Sequence, residues 1–285
     1  MFLEVMQGGS LSAGARALNV AQPTARRQIE ELEQTLGTPL FTRSRSGLKP
    51  TIAAEELLPY AEAMAAAAAA GARTASGAGT DEGGTVRVTC SEIVGAEVLP
   101  TIISTFQTAN PGIAIELVAT NLTEDLLRRD ADIAIRMARP KQSALLAKRL
   151  ASVEVGLYAT GACLEQAGPI TTLRDFEAFP RLIGDDRSTT LIDAFAARGL
   201  LLGREHFKFR ADGDLIKLAA LRAGLGIGIC QKQIASKDST LVRVFPELSM
   251  SLEAWVVMHE DLKRVTRFRK VFDHLSSAIK SYYNN

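Results

Sequence analysis

Residues 10–37 constrain this chain more than any other stretch, because they spell two short amphipathic helices with a tight turn between them. Ser10 precedes Leu-Ser-Ala-Gly-Ala-Arg-Ala-Leu, where its hydroxyl can accept from an otherwise unpaired helical N–H. Leu11, Ala15 and Leu18 are spaced by four and three, so they share one face. Asn19 tolerates the left-handed backbone that a tight turn needs. Pro23 suits the first turn of a second helix, where its missing N–H costs nothing. Ala25, Ile29, Leu32 and Leu36 form an inward stripe, and Gly37 closes the helix.

The opposite face holds Thr24, Arg27, Gln28 and Glu31, with Gln22 and Arg26 at its margins. Arginine can bond guanine bidentately and glutamine can bond adenine, so such a face suits the major groove of DNA. Arg43, Arg45 and Lys49 follow around Gly47, where a loop or wing would meet phosphates. Arginine-bearing helices also occur in many all-helical domains with the cations merely solvated. The pattern alone leaves both readings open.

A longer series of residues favours the first. Gly9-Ser10-Leu11-Ser12, Ala15-Arg16-Ala17-Leu18, Gln22-Pro23, Ile29, Leu32-Glu33, Leu36-Gly37, Leu40-Phe41 and Arg43 together resemble the LysR-type transcriptional regulator family in order and spacing. The resemblance implies a winged helix-turn-helix with residues 22–36 as recognition helix. It implies that Gln22, Pro23, Arg26 and Arg27 face DNA, with Thr24 on the same face, and that Arg43 contacts phosphate. Three departures stand out. Ala21 replaces the family's usual capping serine, and Arg26 stands where serine is common. The apolar run Phe2-Leu3-Val5-Met6 lacks the residues that usually precede it, so helix 1 reads as clipped and a native start upstream of Met1 is expected.

At 285 residues the chain can build one large or two medium domains. Its net charge of +1 does not announce a nucleic-acid partner, so basic residues must act by placement. Met1 is followed by Phe, Leu and Glu without a basic run, and the apolar stretch 63–72 is too short and alanine-rich to span a bilayer. These features predict a cytoplasmic protein without a membrane partner. The three cysteines, Cys90, Cys163 and Cys230, have neither disulfide nor metal spacing and read as buried free thiols.

Residues 53–72 are rich in strong helix formers, with a seam of Leu57, Ala61, Met64 and Ala68 joined by Ala54, Leu58 and Ala65. Such a helix could pack on its own domain. The resemblance implies instead a dimerising linker over 53–73, with Pro59 distorting or delaying its first turns. The glycine-rich stretch 74–85 reads as a hinge.

Beyond it strands and helices alternate. Strands are expected at 86–90, 113–118, 132–136, 153–158, 227–230 and 252–258, and helices at 96–109, 122–129, 189–198, 214–223 and 265–280. The alternation predicts an α/β fold with a mostly parallel sheet and helices on both faces. Asn110-Pro111, Asp132-Ile133-Ala134-Ile135-Arg136 and Ala223-Gly224-Leu225-Gly226-Ile227-Gly228-Ile229 are similar to the family's effector domain, which has the fold of periplasmic binding proteins. The resemblance therefore covers the whole chain. It implies a DNA-binding domain at 1–52 and an effector domain at 86–285. One lobe is expected at 86–158 and 260–285, and the other at 159–259. Gln231 stands where the family often has proline, in what reads as a loop.

Ligands of open α/β sheets bind beyond the carboxyl ends of the strands. Ser91, Thr120, Asn121, Arg136, Gly213 and Asp214 lie at such ends and are the candidate effector-binding residues. Ser91, ahead of a helix, would suit a carboxylate or phosphate, and Arg136 an anion, unless Asp132 or a nearby glutamate neutralises it. The glycines at 224–228 follow a helix and enter a strand, the reverse of a dinucleotide fingerprint, so close packing is the better reading. No GxSxG, HExxH or Walker motif appears, and His206, His259 and His274 stand apart. The sequence thus offers no catalytic residue, metal site or cofactor. It predicts a regulator that binds double-stranded DNA and a small-molecule effector as a homodimer or homotetramer. By resemblance, RNA polymerase is a further partner. A solute-binding protein or an enzyme of the same two-lobed fold is the competing expectation.

Overall fold

The computed structural model describes residues 1–44, 47–76, 83–121, 131–140, 145–167, 170 and 172–284. The chain divides into two compact units, the first of which begins at Met1 and runs to Ala75.

The first unit opens with α1 (Phe2–Gly8), α2 (Leu11–Ala17) and α3 (Gln22–Leu36), followed by a two-stranded antiparallel wing, β1 (Phe41–Ser44) and β2 (Gly47–Pro50). Ser10 caps α2 by accepting from the Ala13 N–H at 3.2 Å. Asn19 turns the chain at φ 52°, and Gly37 ends α3 at φ 66°. Ala21 gives α3 no side-chain cap, as its missing hydroxyl requires. Phe2, Val5, Ile29, Leu40 and Ala54 form a small buried core. Leu18 and Leu36, expected inside, stand 43% and 46% exposed. The core is too small to reach the ends of both apolar stripes. Glu33 fastens the wing to α3, accepting from the N–H groups of Leu40 at 2.7 Å and Phe41 at 3.0 Å. Gly47, at φ 121°, passes so close to the Gly9 carbonyl that a Cβ would sit 2.8 Å from its oxygen.

The helix α4 (Ile52–Ser76) runs unbroken through Pro59 and starts seven residues ahead of it, so the proline neither delays nor ends it. Its first turns pack on the small core through Ala54, Leu57, Leu58 and Ala61. Beyond them Met64 and Ala65 are exposed. The beginning of the helix therefore packs on its own domain, and only the later part of the seam is uncovered.

The second unit contains a six-stranded sheet in the order β4-β3-β5-β10-β6-β9. Its strands are β3 (Gly84–Cys90), β4 (Ile113–Ala119), β5 (Ile133–Arg136), β6 (Leu145–Thr160), β9 (Gly228–Gln231) and β10 (Leu241–His259). The helices α5 (Glu92–Glu97), α6 (Leu99–Ala109) and α12 (Thr266–Asn284) pack with it. The strands β7 (Leu182–Gly184) and β8 (Phe207–Arg210) form a separate parallel pair, joined to the chain before β9 by a bridge between Leu182 and Ile227. Around them lie α7 (Gly161–Ala167), α8 (Leu173–Glu177), α9 (Thr190–Ala196), α10 (Asp214–Arg222) and α11 (Lys232–Ala235). The expected helix at 122–129 and hinge residues 77–82 lie outside the described residues.

The large sheet corrects the expectation of mostly parallel pairing. Strand β3 runs parallel to β4 and β5, but β10 is antiparallel to β5 and β6, and β6 is antiparallel to β9. Two long strands, β6 and β10, lie side by side in opposite directions, so the returning strand forces the antiparallel ladder. They also set the boundary between cores. Strand β6 gives Val153 and Val155 to the first core and Leu157 and Ala159 to the second. Strand β10 gives Val244 and Phe245 to the second and Ala254 and Val256 to the first. The changeover between cores thus comes within both strands. Between Val244 and Ser249 the ladder skips, and Phe245 adopts φ 48°, a strained value for a bulky side chain.

Helix α12 closes the first core with Phe268, Val271, Phe272, Leu275 and Ile279, spaced by three and four. Gly226 lets β9 approach the strand ahead of it, since a Cβ there would collide with the Arg181 carbonyl. The Ile227 N–H donates to that carbonyl at 2.9 Å, which confirms the packing role read for these glycines.

Candidate DNA-reading face and effector cavity

Helix α3 buries Ala25 and Ile29 and turns Gln22, Pro23, Arg26, Arg27 and Gln28 outward, with Thr24 half-buried. The two arginines do not stand alone. Arg26 Nε lies 2.7 Å from Glu30 Oε1, and Arg27 Nε lies 3.5 Å from Glu31 Oε1, each pair one helical turn apart. All four side chains are at least half exposed. Exposed pairs of this kind are screened by water and contribute little, so another anion can take the cation at little cost. Arg43 lies on β1 opposite Leu48, and Arg45 falls outside the described residues.

A cavity of about 310 Å³ opens in the second unit. Its wall takes Ile93 from α5, Val155 from β6, Met250 and Leu252 from β10, Ile183 from β7, and Leu218 from α10. These elements belong to different cores, which is why a hollow remains between them. Its size sits at the low end of small-molecule pockets, and its mostly apolar wall with a few polar groups is typical of them. A larger open hollow over the start of α12 is lined by charged residues and Thr266, without an apolar side chain.

The polar end of the cavity is a triad. Lys217 Nζ lies 2.5 Å from Asp185 Oδ1 and 3.1 Å from Asp214 Oδ1. Burial works against the ammonium, yet the two carboxylates together hold it above the ordinary lysine value. Asp185 also accepts from the Leu191 N–H at 3.3 Å. Outside the cavity, Asp212 gathers the N–H groups of Asp186 and Arg187, both at 2.9 Å. Those bonds draw its carboxyl below the usual range and fix the loop carrying Asp185.

Of the six residues proposed from sequence to meet the effector, Asp214 lines the cavity and Ser91, Thr120, Asn121, Arg136 and Gly213 do not. The Asn121 side chain accepts from the Glu92 N–H at 3.2 Å and returns a hydrogen bond to the Glu92 carboxylate. Asn121 is thus a clasp on α5. Arg136 donates to the Ile135 carbonyl at 3.2 Å and faces Thr89. Asp132 accepts from the Arg87 N–H at 2.8 Å and ties β3 to the lead of β5. Ser91 Oγ is buried with no hydrogen-bond partner among the described residues. Gly213 is the backbone entry to α10.

Sequence reasoning missed Lys217, Asp185 and Gln231. The spacing of Asp214 and Lys217 on one helix was a readable signal, whereas Asp185 is distant in sequence. Gln231, read as a loop position, ends β9, is buried, and accepts from the Tyr283 hydroxyl at 2.9 Å. Beside the cavity, Arg222 at the end of α10 grips Glu97 at the end of α5 with two hydrogen bonds of 2.8 Å. It also reaches Asp238 at 3.3 Å. Burial pushes the Cys90 and Cys230 thiols up to about 11, so both stay protonated and unreactive near neutrality. Among the described residues no cluster of His, Cys, Asp or Glu could hold a metal ion, and no helix is long and apolar enough to cross a membrane.

Residues 1–55 match the family described as bacterial regulatory helix-turn-helix protein, lysR family, and residues 79–280 match the LysR substrate binding domain. The probable HTH-type transcriptional regulator LtrA of Klebsiella pneumoniae is 24% identical over 98% of this chain and 93% of its own length. The HTH-type transcriptional regulator IlvY of Escherichia coli is 31% identical over 47% of this chain and 46% of its own length. Full-length CbnR, solved in complex with its target DNA, shares the fold at a TM-score of 0.69 and 19% identity, over 97% of both chains. The chain belongs to the LysR family of bacterial transcriptional regulators, and its two parts are a DNA-binding helix-turn-helix and an effector-binding domain.

Proposed function

We propose that Gln22, Pro23, Thr24, Arg26 and Arg27 read the major groove, that Arg43 holds a phosphate of the same site, and that the 310 Å³ cavity takes the effector. The observation that carries the reading is the outward face of α3, whose arginines are held, among the described residues, by exposed glutamates. The uncovered part of α4 beyond Ala61, with Met64 at 74% exposure, is the surface a second copy would cover. Two recognition helices related by two-fold symmetry would then read a pseudo-palindromic site. The effector acts through its differential affinity for two arrangements of the effector-binding domain, since no ligand shifts an equilibrium otherwise. The protein works in the cytoplasm, with RNA polymerase as the partner that receives the signal.

The test is a mobility-shift titration on the DNA upstream of the protein's own gene. Arg27→Ala is expected to lose about 1–3 kcal/mol of affinity and to relax preference at one base pair. Arg43→Ala is expected to weaken all sequences alike and to flatten the salt dependence. Parent-like binding by Arg27→Ala overturns the assignment of the face.

A further inference from the structure

We propose that the cavity selects a small apolar molecule bearing one protonated amine and rejects its carboxylate counterpart. The inference rests on the reading of this cavity as the effector site and adds the chemistry of what enters. The wall supplies apolar surface from Ile93, Val155, Ile183, Leu218, Met250 and Leu252. Among the described residues its charged lining is Lys217 against Asp185 and Asp214, one positive charge and two negative, a net charge of −1.

The positive charge is already engaged. Lys217 Nζ is held between two carboxylate oxygens, at 2.5 and 3.1 Å. An incoming carboxylate would meet a cation covered by two anions and would add a third. An ammonium meets the reverse. Asp185 uses one oxygen on Lys217 and the other on the Leu191 N–H. Asp214 touches Lys217 through Oδ1 and keeps 41% of its side chain exposed, so it can accept a further donor.

The groups that looked anion-binding in the sequence do not offset this balance. Arg136 and Ser91 are absent from the cavity wall. The Glu92 N–H at the start of α5 is occupied by the Asn121 side chain, and Glu92 itself adds a negative charge there. The apolar wall sets the body of the ligand, and the surplus carboxylate sets its head.

Three probes of nearly equal size separate the possibilities: 2-phenylethylamine, 2-phenylethanol and phenylacetate, each titrated calorimetrically into the full chain at neutral pH. The amine is expected to bind at least about tenfold more tightly than the carboxylate, the low end of what one neighbouring charge does to an ionic equilibrium. The alcohol should fall between them. Asp214→Asn should weaken the amine about tenfold and the alcohol much less, since the alcohol carries no charge for the carboxylate to attract. Carboxylate binding equal to or tighter than amine binding overturns the proposal, as does binding of none of the three or indifference of the amine to Asp214→Asn. Leu218→Trp, which fills the cavity, separates this failure from failure of the site. If the filled variant, folded by circular dichroism, still binds the amine, the site reading falls and the ligand class falls with it. If it abolishes binding of a preferred carboxylate, the site stands and only the ligand class is wrong.

Discussion

Charges in the two units are set differently. On α3, Arg26–Glu30 and Arg27–Glu31 sit in solvent, each a single contact one turn apart. Around the cavity, Lys217 and Arg222 each hold two carboxylates, and their side chains are 21% and 37% exposed. Water screens the first kind and makes it exchangeable, whereas partial burial makes the second kind rigid. An exchangeable cation suits a surface proposed to give up glutamate for DNA. A fixed one suits a cavity wall proposed to be ready before a ligand arrives.

The largest effect is expected where the second kind is broken. Lys217→Met leaves Asp185, only 11% exposed, without its counterion and beside a second carboxylate. Removing one partner of a buried pair costs about 3–5 kcal/mol, and the residual exposure here argues for the low end of that range. Urea unfolding of the effector-binding domain, followed by circular dichroism, measures it. A loss within the error of the parent would erase the contrast between the two units.

The Arg222–Glu97 pair is expected to show the next effect, as a dependence on pH. The Arg222 hydrogen bonds hold the Glu97 carboxyl below its ordinary value of 4.5. A lowered carboxyl contributes stability that is fully present above its unfolded value and is lost as pH falls through the folded one. Exposure limits the contribution to about 1 kcal/mol at neutral pH. The melting temperature of Glu97→Gln should therefore lie below the parent's at pH 7, and the gap should narrow as pH drops below the ordinary carboxylate value. A gap that widens in acid would show that Glu97 is not stabilised as its carboxylate.

The same contrast explains what was legible in the sequence. Helix α3 was readable because its signals are local: Pro23 near the start, Gly37 at the end, and Ile29 between exposed polar residues. Strands β3 and β5 were readable because they are short buried runs. The direction of β10 was not, since pairing along β6 is a property of chain return and leaves no trace in the apolar pattern. The cavity was legible only at Asp214. Its wall draws on β6, β7, α10 and β10, from Val155 to Leu252, distant along the chain but adjacent in space. Ser91 and Arg136 looked suited to a ligand because their residue types are, yet nothing in the sequence told that Asn121 and Glu92 clasp each other. Family resemblance supplied the two-lobed plan but not the charge balance of the cavity.

The smallest expected effect tests the exchangeable pair itself. In Glu30→Gln the Arg26 guanidinium loses its 2.7 Å carboxylate partner, and α3 loses one negative charge near its outward face. Folding stability should hardly change, since one exposed pair a turn apart is worth little in water. DNA affinity should move the other way. On the proposed reading the duplex no longer competes with Glu30 for Arg26, and one source of repulsion is gone. A tighter complex at low salt, converging on the parent as salt rises and screens both charges, is the expected signature. Weaker binding by Glu30→Gln would mean that Glu30 positions Arg26 for the duplex. The pair on α3 would then be as structural as the one around Lys217.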